Sequence, residues 1–402
     1  MRVLQLCKKF PYPLKDGESI AVSYLAKGLK AKGADLALLV MNTTKHYFDI
    51  QQYPAVQNPY SRILEVPLDN SLKALPAFLN LFTGASYHLS RYDFPAYHQQ
   101  LRALLVQETY DLILLETFYL SPYVATIRKH SKATILMRSH NVEHEIWERI
   151  HTHTSTGLKS WYIGLQTKRL KQAELQYLNS YDHFLAISTR DLQRFQTLGL
   201  RLPADVLPIG IDLKDFSFSL PGEGSPRKVG FIGSLDWMPN LEGLEWFLRE
   251  VWPIVLATRP EMECHIAGRN CPDHLKTSTK EQVIVHGEVA DAHAFVKACD
   301  ISIVPLLSGS GMRVKILESM ALGTPVVSTG IGIEGIPATD QESAYIRDKA
   351  PAFAKAILDL CRHPEQMDQM AILARQMIET HFDNQLLADR VYQQFNPKTG
   401  VA

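Results

Sequence analysis

At 402 residues, 46% hydrophobic and 21% charged, the chain reads as a soluble globular protein too long for one compact core, so two domains are expected. Its five cysteines (Cys7, Cys264, Cys271, Cys299, Cys361) are scattered without a Cys-x-x-Cys, as reduced cytosolic thiols are, and no apolar run approaches the roughly 18 residues of a membrane span. The zero net charge divides unevenly: residues 1–200 carry 23 Lys and Arg against 16 Asp and Glu, and residues 201–402 carry 19 against 26. A basic first half suits an anionic membrane surface or an anionic substrate, and equally ordinary variation between domains.

The apolar start Met1-Arg-Val-Leu-Gln-Leu predicts a first strand, Arg2–Cys7, and is too short for a signal peptide. A helix Ser19–Lys32 follows, ended by Gly33. Short apolar strands are expected at Asp35–Met41, Arg62–Val66, Asp111–Leu115, Ala133–Arg138 and His183–Ile187, with helices between them, notably Phe94–Val106 and Leu158–Leu178. The stretch 43–85 is the least regular. A Gly-, Pro- and Ser-rich segment at 216–227 reads as the end of a linker spanning 201–227. Beyond it, strands at Lys228–Ser234, Met262–Ala267, Val283–His286 and Ile301–Val304 alternate with helices. The tail is helical, with breaks at His363-Pro364 and His381-Phe-Asp. Strands alternating with helices predict parallel sheets covered on both faces. The expected architecture is therefore α/β: two Rossmann-like doubly wound domains facing a cleft, 1–200 and 228–375, and a C-terminal helix 376–402 packing back on the first.

The stretch Ser308–Val327 organises the second half. Ser308-Gly-Ser-Gly311 is too glycine-rich for regular structure and predicts a tight loop. A helix over Met312–Leu322 should follow, closed by Gly323. A helix N-terminus after a glycine loop gathers unpaired N–H groups and partial positive charge, and so binds phosphate. Arg313 and Lys315 lie in the first turn, where cations oppose the dipole, and their placement calls for an anionic partner. Glu318 is about two turns, roughly 10 Å, past Gly311 on the same face, a span that fits a diphosphate at the loop and a ribose diol at the acid. The plainer alternative is a surface loop before an amphipathic helix.

The flanking motifs Gly233-Ser-Leu-Asp-Trp-Met-Pro-Asn240, Cys264-His-Ile-Ala-Gly268, His286-Gly287 and Ala298-Cys-Asp-Ile-Ser-Ile-Val-Pro305 lead into that stretch in order. Together they resemble the donor domain of the retaining glycosyltransferases of family four, enzymes of the GT-B fold. Phe10-Pro-Tyr-Pro-Leu-Lys-Asp-Gly17, Arg138-Ser-His-Asn-Val-Glu143, Ala186-Ile-Ser188 and Pro208-Ile-Gly-Ile-Asp212 resemble landmarks of the family's first half. The resemblance implies a nucleoside diphosphate sugar bound mainly by the second domain, through Gly233, Ser234, the backbone of Gly309, Ser310, Gly311 and Met312, and Glu318 on the ribose. It further implies that His140 approaches the donor sugar, and that Gly17 lies in the first glycine loop. Two departures stand out. Ser310 occupies the position of the family's first acid, and no cation follows Gly233 as far as Gly243, so Arg313 and Lys315 are the nearest replacements by charge.

The implied reaction moves a sugar with retention to a glycan or lipid-linked acceptor, in cell-surface polysaccharide or glycolipid assembly, and no enzymic nucleophile is nominated. His140, Arg313 and Lys315 are the catalytic candidates. No Asp-x-Asp diphosphate–metal motif occurs, so no metal or other cofactor is expected beyond the sugar nucleotide. The expected location is cytoplasmic, with peripheral contact at an anionic membrane, and no nucleic-acid motif accompanies the basic residues. Several positions keep two readings. His140 lines the site or packs at a strand end. Gly17 approaches a ligand or shapes a turn. Asn240 caps the next helix or reaches the nucleotide, and Trp237 stacks on a base or packs. The aromatic and basic run Trp161–Lys171 meets a lipid surface or turns its apolar stripe inward. His140-Asn-Val-Glu-His144 also spells the inverted zinc-peptidase pattern His-x-x-Glu-His. Rival functions are an epimerase of the same fold and a non-catalytic sugar-nucleotide sensor. A dinucleotide oxidoreductase lacks its Gly-x-Gly-x-x-Gly in Lys8–Gly17.

Overall fold

The computed structural model describes the chain except residues 15, 72–77, 153–155, 222–226, 277–281, 310 and 398–402. By its contacts the chain divides into two units, Met1–Gly210 with Asn384–Ala402, and Ile211–Asp383.

The first unit holds a seven-stranded parallel sheet: β1 (Arg2–Cys7), β2 (Asp35–Thr43), β3 (Arg62–Leu68), β4 (Leu112–Leu115), β5 (Thr134–Ser139), β6 (His183–Ala186) and β7 (Ala204–Val206), in the order β3-β2-β1-β4-β5-β6-β7. Successive residues of a strand face opposite sides, and here both sides are apolar. Leu4, Leu6, Leu39, Ile113 and Leu115 pack under the helix Pro95–Gln107 on one face. Val3, Leu36, Leu38, Leu112 and Leu114 pack under the helix Gly17–Ala31 on the other. The order reverses at β1, flanked by β2 and β4, so loops leaving the carboxyl ends of β1, β4 and β5 gather at one edge.

The second unit holds β8 (Lys228–Ile232), β9 (Glu263–Ala267), β10 (Val283–Gly287), β11 (Ile301–Val304), β12 (Val326–Ser328) and β13 (Tyr345–Ile346), in the order β10-β9-β8-β11-β12-β13 and parallel throughout. Its core joins Val229, Phe231, Ile301 and Ile303 to Phe353, Ile357 and Leu360 of the helix Ala350–Arg362.

Strand Ala204–Val206 lies inside the stretch expected as linker and completes the first sheet beside β6, while residues 222–226 of that stretch lie outside the described residues. The tail helices Ala350–Arg362, Pro364–His381 and Asn384–Phe395 break at the two expected points. The last belongs to the first unit, where Asn384 Nδ2 donates to the Tyr24 carbonyl at 2.7 Å. A Cβ on Gly28 would stand 2.4 Å from that of Ala388, so glycine lets the two helices touch.

Candidate functional site

In the second unit the carboxyl ends of β8 and β11 present two loops, 233–237 and 305–313, before the helices Met238–Trp246 and Val314–Leu322. Gly309 and Gly311 both have positive φ, 113° and 81°, which glycine adopts without strain. A Cβ on Gly309 would meet Arg313 at 3.1 Å and the Trp237 ring at 3.4 Å, so the loop lies close over both. Ser308 Oγ donates to Glu242 at 2.8 Å. Ser310 lies outside the described residues.

The helix begins two residues later than expected. Met312 precedes it, and Arg313 is its N-cap with extended backbone. Arg313 is buried, its guanidinium donates to the Gly311 carbonyl, and it stands 5.9 Å from the centre of the Trp237 ring. Trp237 therefore lies beside the loop's cation, and 41% of its surface remains exposed.

Lys315, two residues on, reaches back to the other loop. Its Nζ donates to the Ile232 carbonyl and to Asn240 Oδ1, each at 3.0 Å, over the Phe231 ring at 4.5 Å. A Cβ on Gly233 would stand 3.1 Å from this ammonium and 2.7 Å from Asn240 Nδ2. The Lys315 ammonium thus stands beside Gly233, after which the sequence itself has no cation as far as Gly243. Burial, and then Arg313, lower the Lys315 ammonium to a pKa of about 7. Ser234 Oγ donates to Asp236 at 2.5 Å, and Asn240 Nδ2 donates to the Ser234 carbonyl at 2.9 Å. Asn240 is buried and is not the helix cap, a place that falls to Trp237; it ties Ser234 to Lys315.

Glu318 is half-buried on Val314–Leu322, where burial raises its carboxyl pKa against the opposing pull of His293. His293 belongs to the helix Ala292–Lys297 and packs 4.5 Å from the Phe216 ring. Behind, Gly323 closes the helix in the left-handed conformation, and Arg375 Nη1 donates to the Ala321 carbonyl at 2.7 Å.

In the first unit His140 follows β5 at the sheet's carboxyl edge, as expected, and Nε2 lies 3.1 Å from Glu116 Oε2. Glu116 directly follows β4 and is almost fully buried, with Arg138 Nη1 at 3.6 Å and Gln5 Nε2 donating to it at 2.5 Å. Tyr60 in turn donates to Gln5 Oε1 at 2.7 Å. Burial opposes ionisation of Glu116, but Arg138 and His140 outweigh it and hold the carboxyl below its usual range. A carboxylate only accepts, so His140 donates through Nε2–H and, when neutral, keeps Nδ1 as a free acceptor.

Gly17 opens the helix Gly17–Ala31 rather than shaping the turn, and Asp16 caps it by accepting from the Ser19 N–H at 3.0 Å. Around it Lys9 pairs with Asp16 at 2.7 Å and Lys8 with Glu18 at 3.1 Å, with Lys8 4.8 Å from the centre of the Tyr119 ring. Tyr119 donates to Glu143 at 3.0 Å; burial raises that carboxyl to about 7, against Lys8 and with Glu174. His144 Nδ1 lies 2.5 Å from Glu174. The two histidines of the His-x-x-Glu-His pattern thus serve separate carboxylates, Glu116 and Glu174. No trio of His, Cys, Asp or Glu among the described residues is placed to hold a metal ion.

Of the sequence candidates, Gly233, Ser234, Gly309, Gly311, Met312, Arg313, Lys315 and Glu318 come together in the second unit. Gly17 and His140 share the carboxyl edge of the first unit's sheet. Sequence reasoning missed Glu116, the Lys8–Glu18 pair and Asn240 as the holder of Lys315. An acid directly after the apolar strand Leu112–Leu115 was the one readable sign of Glu116.

Residues 226–363 match the family model described as glycosyl transferases group 1. Over 98% of the chain and 99% of the relative, the sequence is 25% identical to an uncharacterized 44.6 kDa protein in the cps region of Klebsiella pneumoniae. It is 29% identical to a phosphatidyl-myo-inositol mannosyltransferase of Mycolicibacterium smegmatis over 36% of this chain and 39% of that one. In structure it is similar to Anabaena HepE in complex with UDP-glucose, with TM-score 0.66, 14% identity, and 98% and 99% of the two chains covered. The second unit thus matches the glycosyl transferases group 1 over residues 226–363, and both units are built on the GT-B plan.

Proposed function

We propose that the protein transfers a sugar from a nucleoside diphosphate sugar to a glycan or lipid-linked acceptor, with retention, in the assembly of a cell-surface polysaccharide or glycolipid. The observation that carries this reading is the convergence of Arg313 and Lys315 on two glycine loops at the N-terminus of Val314–Leu322. A leaving nucleoside diphosphate takes the electron pair of the broken glycosidic bond, and fixed positive charge aimed at it lowers the barrier. In this reading Lys315, Arg313 and the helix N–H groups supply that charge without a metal. Glu318 accepts from the ribose hydroxyls. His140, held by Glu116, accepts from a hydroxyl of the transferred sugar at Nδ1. Among the described residues no helix is long and apolar enough to cross a membrane, and we place the enzyme in the cytoplasm, where sugar nucleotides are available.

Three likenesses support the proposal: one relative lies in a cps region, another is named for mannosyl transfer to phosphatidyl-myo-inositol, and a structural neighbour holds UDP-glucose. The test is a panel of nucleoside diphosphate sugars, read first by thermal shift and then by nucleotide release with lipid-linked and soluble glycan acceptors. A donor that binds and is cleaved only with acceptor supports transfer. A donor epimerised without acceptor points to the isomerase of the same fold, and binding without turnover to a sensor.

A further inference from the structure

In the second sheet β9 and the edge strand β10 run parallel, with Ile284 opposite His265. Side chains alternate along each strand, so Cys264 and Ile266 of β9 enter the core and Val283 and Val285 of β10 pack against it. Glu263, His265, Ile284 and His286 therefore line the other face. His265 and His286 are diagonal neighbours there, close enough for their rings to meet. His265 Nδ1 lies 2.9 Å from His286 Nε2, with the ring centres 5.1 Å apart, and Glu263 Oε2 lies 2.9 Å from His265 Nε2.

These contacts decide where the protons sit. A carboxylate only accepts, so Glu263 takes the Nε2–H of His265 and leaves the lone pair on Nδ1, the nitrogen that faces His286. His286 is kept neutral, because the partial burial of its ring, then His265 and Lys228, lower its pKa. Two imidazoles thus turn nitrogens toward one point, and a carboxylate behind one of them fixes its orientation and makes it more basic. That is the arrangement of a histidine metal ligand with its supporting acid. Packing across the strands would be met by the ring faces alone, whereas here the nitrogens are what meet.

The spacing selects the ion. Two nitrogens bonded to one ion at ~2.0–2.1 Å stand ~2.9 Å apart at a right angle and ~3.3 Å apart at the tetrahedral angle. The 2.9 Å between His265 and His286 fits the right angle of square-planar Cu(II) or Ni(II), and Cu(II) is the tighter binder of the two. The hydrogen between the rings gives way to the ion. His286 then carries its proton on Nδ1 and offers the Nε2 lone pair, while His265 keeps its hydrogen bond to Glu263. Both rings turn about their soft terminal torsions to bring the lone pairs together, and His286 is exposed enough to do so. No third His, Cys, Asp or Glu among the described residues joins them, so water completes the coordination.

We propose that His265 and His286, backed by Glu263, form a binding site for a square-planar divalent transition metal, Cu(II) before Ni(II), which clasps the edge strand β10 to β9. The site lies on strands other than β8 and β11, which carry the loops 233–237 and 305–313. It is independent of the donor reading, because metal binding involves no sugar nucleotide.

The experiment is titration of the full chain, prepared without a polyhistidine tag, with glycine-buffered CuCl2, read by calorimetry and by electron paramagnetic resonance. It compares wild type with His265→Ala, His286→Ala and Glu263→Gln. Wild type is expected to take up one tight equivalent whose spectrum shows two imidazole nitrogens. Affinity should fall ~tenfold or more in each His variant, with one imidazole nitrogen left, and ~tenfold in Glu263→Gln with both nitrogens kept. Circular dichroism verifies that the variants fold. Should His265→Ala not fold, His286→Ala, at an exposed position, tests the same pair. No Cu(II) uptake by wild type, undiminished affinity in folded His286→Ala, or a wild-type spectrum with a single imidazole nitrogen overturns the proposal. So does unchanged affinity in Glu263→Gln.

Discussion

In the proposed donor site, Lys315 is chargeable near neutrality. It is held by the Ile232 carbonyl and Asn240 with no carboxylate among its hydrogen-bond acceptors, and burial lowers it to about 7. The ammonium that attracts a diphosphate is present below that pH and lost above it. Donor affinity is therefore expected to fall as pH rises through about 7, by up to about tenfold per unit, because a bound anion keeps the lysine protonated to higher pH. Titration calorimetry from acid to alkaline pH checks this, and Lys315→Ala should flatten the profile as well as weaken binding. On the proposed reading, Glu318→Ala removes hydrogen bonds to the ribose and should cost ~10- to 100-fold in donor affinity, with the melting temperature of the free protein little changed. Glu116→Gln tests the positioning of His140: the neutral amide can donate to Nε2 and reverse the tautomer, so kcat should fall while donor affinity persists. Lys315 and Glu318 were readable as candidates because both follow the Gly309–Gly311 loop at helical spacing. Glu116, Asn240 and Gln5 were not, since their partners lie 24, 75 and 111 residues away.

At the scale of elements, the strand–loop–helix unit around Ser308–Val327 was legible through its glycines and apolar runs. The misplaced start has a plain cause. Arg313 and Lys315 were read as first-turn cations, but Arg313 bonds back to Gly311, holding an extended N-cap and delaying the helix to Val314. Gly323 was readable as a C-cap, and the structure adds a second constraint: a Cβ there would stand 2.1 Å from the Ser219 carbonyl oxygen. Gly323→Ala combines left-handed strain with that clash, and a loss of about 2 kcal/mol or more is expected, read as a lowered midpoint in urea. The long helix Leu158–Tyr177 was visible as a helix, but which face it buries depended on Tyr87 and Asn80, more than 70 residues upstream.

For the whole molecule, alternation of strand and helix sufficed for two parallel α/β sheets. The seventh strand, Ala204–Val206, escaped because three residues give no period to read; it takes its conformation from pairing with β6. The segment that joins the first unit begins at Asn384, within the expected 376–402, and its contact with Gly28 required the fold. Ending the chain at Asp383 removes Leu387, Ala388 and Val391 from the first unit's core. The truncated protein is expected to melt lower and to expose apolar surface, measured by dye binding and calorimetry. The central claim, that the second unit binds a nucleoside diphosphate sugar through Lys315 and Glu318, is most directly tested by calorimetric titration of wild type, Lys315→Ala and Glu318→Ala with a panel of such donors. The account predicts saturable binding of at least one donor by wild type and a loss of ~tenfold or more in each variant; no donor binding by wild type, or equal affinity in all three proteins, would contradict it.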